Sequence, residues 1–148
     1  MEKVVLPNDV LLGEVARLLD EGREVVMTPK GRSMLPYIRG EVDRIKLRQT
    51  DRLSVGDIVL AFFGNRYVLH RIVAIKGDEF TLMGDGNLKD TEQGVRSNVV
   101  GKVIEIITPD NHHRKPGKAW LWRHTLFLRK YQLKVYRKWN KLIGNNKI

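Results

Sequence analysis

The sequence predicts a mainly β domain with one helix ahead of the sheet and a second, basic helix behind it. Three observations lead there. Between Asp43 and Thr108, short apolar runs alternate with turn residues and read as strand after strand. The stretch before them repeats its apolar residues at helical spacing, and so does the stretch after them. Strands of this length with short connections favour an antiparallel sheet or a small barrel. With 148 residues and 42% apolar content the chain can bury a real core, which excludes wholesale disorder.

Taken in order, "PNDVLLGEVARLLDEG" (Pro7 to Gly22) is an amphipathic helix. Asn8 or Asp9 caps it, Gly22 ends it, and Val10, Leu11, Val15, Leu18 and Leu19 form its apolar face. Arg23 to Pro29 is a short strand, and "KGRSMLPYIRG" follows it as a turn. "DRIKLRQ" alternates, with Ile45 and Leu47 on one face. "SVGDIVLAFF" turns at Gly56 and then enters a buried run. Gly64-Asn65 is a hairpin signal before "RYVLHRIVAI", and "KGD" (Lys76 to Asp78) turns the chain into "EFTLM". "GDGNLKD" is a loop by composition, and Asn98 to Thr108 is a final long strand. "PDNHHRKPG" (Pro109 to Gly117) reads as a linker. Residues 1–110 are thus the β-domain with its helix, and 111–148 a basic linker and helix. Leu121, Leu128, Tyr131, Val135, Trp139 and Leu142 keep to one side of that helix; Trp122, Leu126, Leu133, Tyr136 and Ile143 widen the stripe.

Charge separates the two parts. Residues 1–110 hold 16 basic against 17 acidic side chains, whereas 111–148 hold 11 basic and none acidic. The basic segment accommodates three readings. It packs its stripe on the β-domain; or it lies on an anionic membrane surface through 118–144, with Trp120, Trp122 and Trp139 at the interface; or it binds nucleic acid, for which no groove-reading motif is present. The absence of cysteine excludes disulfides and thiolate metal sites. No apolar run is long enough to span a bilayer, and no secretory leader is expected at the N-terminus. The expected location is the cytoplasm, with the inner membrane face reached through the basic segment.

Chemistry concentrates in three short motifs. "KGRSMLPYI" sets Ser33 in a turn. A serine hydroxyl is a poor nucleophile without a base to take its proton. His70, in the middle of "LHRIV", is the candidate base, with Arg71 on the opposite face of its strand. "MGDGNLKD" supplies Asp85 and Asp90. In this order, G-x-S-M-x-P, "GDIV", H-R-I-V, G-D-x-N with a following aspartate, and "GKV" resemble the type I signal peptidases, whose catalytic β-fold is shared with the repressor-cleaving peptidases of the LexA kind. The match covers about Gly31 to Val103. The resemblance implies that Ser33 is the nucleophile, that Met34 and Pro36 shape the turn presenting it, and that His70 is the base, in the histidine form of the archaeal and endoplasmic-reticulum enzymes. It makes Asp85 or Asp90 the third member of the site, holding the imidazole tautomer. Gly31 stands where many members carry a serine, so oxyanion binding falls to backbone N–H groups around Gly31, Arg32, Ser33 and Met34. The implied activity is a serine endopeptidase acting on a peptide or protein, without cofactor or metal. A non-catalytic peptide- or partner-binding module on the same fold is the alternative.

Overall fold

The computed structural model describes residues 8–87, 90–119, 133–135 and 138–139. The predicted helix is present as α1 (Asn8–Asp20), closed by Gly22 in the left-handed region at φ 84°. Eight strands follow: β1 (Val25–Met27), β2 (Arg44–Arg48), β3 (Ile58–Phe62), β4 (Tyr67–Lys76), β5 (Glu79–Met83), β6 (Glu92–Val95), β7 (Val99–Ile107) and β8 (His113–Arg114). They form one antiparallel sheet in the order β1-β2-β7-β3-β4-β5-β6, with β8 on β7. The architecture is therefore mainly β with a short N-terminal helix.

Alternation along β3 explains why "IVLA" is apolar without a break. Ile58 and Leu60 face one core with Leu12, Val15 and Leu19 of α1, together with Ile45, Leu47, Val103 and Ile106. Val59 and Ala61 face a second core with Ile72, Phe80 and Leu82. Both faces of β3 from Ile58 to Ala61 are thus dry, and no polar alternation survives there. The Gly64-Asn65 hairpin is closed by the Phe63 N–H donating to the Arg66 carbonyl at 2.9 Å.

Two strands lie where the sequence shows no strand pattern. β6 crosses "EQGV", polar and glycine-bearing, and is recruited by pairing with β5. β8 lies inside the stretch that reads as a linker. That stretch is tied down further along. Arg114 donates to the Tyr37 carbonyl at 2.5 Å, the Gly117 carbonyl accepts from Arg71, and Lys118 pairs with Asp57 at 2.9 Å. Of the basic helix expected over 118–144, residues 133–135 and 138–139 are helical; Lys118 and Ala119 are not, Ala119 standing at φ 49°, and the remainder lies outside the described residues. Leu133 is buried against Leu35, with Tyr37 and Ala119 alongside. Val135 and Trp139, from the predicted apolar stripe, are 67% and 61% exposed. The helix meets the body by its flank where it is described, and those two stripe residues face outward. No helix among the described residues is long and apolar enough to cross a membrane.

Candidate active site

Ser33 sits in the connection between β1 and β2, and its neighbours fix it. Met34 and Ile38 enter the core beneath α1, and Leu35 is buried under Leu133. Ser33 itself is half-buried. Successive turns hold the segment: the Leu35 N–H donates to Arg32 and the Tyr37 N–H to Met34, at 3.2 and 3.0 Å. The Leu35–Pro36 peptide is cis. The base of the loop is closed by the Glu41 N–H on the Pro29 carbonyl at 2.7 Å, and by buried Asp43, which takes two bonds from the Arg39 side chain.

The "GDGN" loop lies directly against this turn. The Gly86 N–H donates to the Ser33 carbonyl at 2.7 Å. A Cβ on Gly84 would stand 2.3 Å from that carbonyl oxygen, and one on Gly86 would stand 2.6 Å from the Arg32 carbonyl. Both positions must be glycine because the serine backbone occupies the space a side chain would need. Between them, Asp85 turns inward. It is 1% exposed and accepts two bonds from Arg71, Nε at 2.8 Å and Nη2 at 2.7 Å. Arg71 is fully buried; its Nη1 also donates to the Gly56 and Gly117 carbonyls, and its guanidinium lies 5.2 Å over the Tyr37 ring. Asp85 therefore braces the floor under Ser33.

The carboxylate at the imidazole is Glu92. Its Oε1 lies 2.5 Å from His70 Nδ1, and both side chains are largely buried. Asp90 is exposed. An ionised carboxylate can only accept, so Nδ1 is the donor in this contact, and in the neutral imidazole the lone pair is then on Nε2. Strand register accounts for the contact. Ile72 pairs with Leu82, and Leu82 pairs with Glu92. Glu92 thus shares a face with Ile72 and, two residues along, with His70. Sequence pattern missed Glu92 because its strand carries no apolar alternation. Register counted outward from the Lys76–Asp78 turn does not find it either, because a bulge between Ile72 and Ala74 shifts the pairing by one residue and the count would set Leu82 opposite Val73.

Ser33 and His70 line one cavity of about 180 Å³, together with Pro29, Gly31, Met34 and Val68. β5 pairs with β4 from Arg71 onward, whereas Tyr67 to His70 pair in the sheet with β3. The cavity opens along that one-sided stretch. Gly31, with φ 91°, and Met34 contribute to its wall, whereas Arg32 is exposed and lies off its lining. Among the described residues no group of three His, Asp or Glu side chains is gathered closely enough to hold a metal. No protein-family model matches the chain, and no curated protein matches it in sequence.

Proposed function

We propose that the chain is a serine endopeptidase of the signal peptidase-like type, with Ser33 as nucleophile and His70 as base. One observation carries the reading: Ser33 and His70 face a common cavity while Glu92 occupies the far nitrogen of the imidazole. His70 Nε2 takes the proton as Ser33 Oγ attacks the peptide carbonyl. The imidazolium, held by Glu92, then returns the proton to the leaving amine. A water deprotonated by the same nitrogen releases the acyl group and regenerates Ser33. Backbone N–H groups of the serine turn are the donors available to the oxyanion. The substrate enters as an extended strand beside Tyr67 to His70, where the sheet leaves β4 paired on one side.

Ser33→Ala and His70→Ala should each abolish cleavage of a peptide library, with circular dichroism unchanged. A serine-directed acylating probe should label Ser33 in the wild-type chain. Full activity in either variant removes the assignment. Absence of labelling together with absence of cleavage returns the chain to the alternative, a peptide-binding module without chemistry.

The proposal includes a place of work, the anionic face of a membrane. Outward-facing Val135 and Trp139, with exposed Lys134 and Lys138 beside them, support it. A segment with 11 basic and no acidic residues adds the attraction.

A further inference from the structure

We propose that the cleft selects peptides bearing an acidic side chain about three to four residues from the bond that is cut, held by Lys30 and Arg66. This rests on the peptidase reading of Ser33 and His70. Lys30 and Arg66 both line the cavity, Lys30 in the segment after β1 and Arg66 at the head of β4. Both are exposed. Among the described residues no Asp or Glu belongs to the lining. Glu92 stands behind the imidazole, engaged by Nδ1.

Position at the cavity, and not the lack of a partner, gives this its force, because Arg23, Arg32, Arg44, Arg52 and Lys76 also meet no carboxylate among the described residues. Arg17, Arg39, Lys46, Arg48, Arg71, Arg96 and Lys102 each meet a carboxylate. Lys30 and Arg66 form no ion pair with any described carboxylate, although the first 110 residues carry as many acids as bases to within one. Both cations border the cavity that holds Ser33 and His70, so the charge they bring to it is positive.

Spacing sets where the acid must be. Arg66 lies four residues before His70, about 13 Å along a strand rising roughly 3.3 Å per residue. A peptide paired beside β4 keeps step with it. Its residue opposite Arg66 is thus about four positions from the residue opposite His70, and Lys30, three residues before Ser33, lines the same cavity. Each contact is solvent-exposed. A carboxylate should improve binding by about two- to fivefold per cation, and the gain should fall as salt rises.

The test measures binding and cleavage separately. Position-scanned peptide mixtures, with one site at a time fixed as Glu, Gln or Lys, are bound to the Ser33→Ala chain and digested by the wild-type chain. Glu mixtures should bind about tenfold tighter than Lys mixtures at low salt, at sites about three to four residues from the cut. Lys30→Glu with Arg66→Glu should reverse that order. Equal binding of the three mixtures overturns the inference even where the acylating probe labels Ser33. An acid preference that survives the double substitution belongs to the basic segment, and overturns it equally. An acid preference lost in the double variant, without labelling or cleavage, keeps the charge selection and removes the peptidase reading.

Discussion

At the residue scale, the carboxylates near the site do different work. The sequence motif draws attention to Asp85 and Asp90 because they follow the glycine-rich loop. It points past Glu92 because cross-strand neighbours are far apart in sequence. Motif order alone singles out Ser33 and His70, which line one cavity; the carboxylate at the imidazole needed the register of β5 and β6. The division can be measured. Asp85→Ala leaves the Arg71 guanidinium buried without its partner, and removing one member of such a pair costs about 3–5 kcal/mol. Chemical denaturation should show that loss. Glu92→Gln should cost far less stability, since the amide keeps the shape. It should lower kcat by up to about 10⁴-fold, because an amide no longer fixes the tautomer with the Nδ1 proton or stabilises the imidazolium. Should Asp85→Ala keep its denaturation midpoint while Glu92→Gln keeps full kcat, the two roles are exchanged.

At the element scale, the stretch after β7 shows what composition conceals. Proline, glycine and histidine between Pro109 and Gly117 read as a linker, and a two-residue strand is too short to leave a periodic trace. Its anchoring comes from distant partners: Tyr37, Arg71 and Asp57. Asp57 is the titrating end of that strap. Burial pushes its carboxyl up, but the hydrogen bond from Lys118, the Ser54 N–H and the charge of Lys102 together hold it below the ordinary aspartate value. A carboxyl lowered in the folded state adds stability above its unfolded pKa of about 3.9, and that stability is lost as pH falls through the folded value. Asp57→Asn should thus be less stable than wild type near neutrality, with the difference shrinking as pH drops below about 4. Thermal melts across acid pH test this; a gap that stays constant with pH separates Asp57 from the acid response. The elements legible in advance were α1, β2, β3, β4, β5 and β7, together with the short β1. β6 and β8 exist through their partners.

At the scale of the whole molecule, the basic segment packs on the serine turn through Leu133 and Arg114, and the proposed membrane role would give it a second, separable duty. Leu133 covers Leu35, two residues from Ser33, so the inner side of the segment is part of the fold. Leu133→Ala should lower stability by about 2 kcal/mol, the low end for a buried leucine, because the cluster it leaves is small. Val135 and Trp139 contribute nothing of that kind, being mostly exposed. Under the membrane proposal their value lies outside the molecule. A tryptophan and a valine one helical turn apart, with lysines beside them, suit the boundary between headgroups and acyl chains. Val135→Ser with Trp139→Ser should therefore leave the melting temperature within a degree or so and reduce co-sedimentation with vesicles containing anionic lipid. Binding of the wild-type chain should weaken as salt rises, because each basic residue near the surface contributes about 1 kcal/mol through a screened attraction. The comparison separates charge from insertion. If the double variant sediments as well as wild type at every salt concentration, charge alone holds the chain to lipid and the apolar face has another use. If neither sediments at low salt, the segment's work ends at Leu133, in the packing of the turn that carries Ser33.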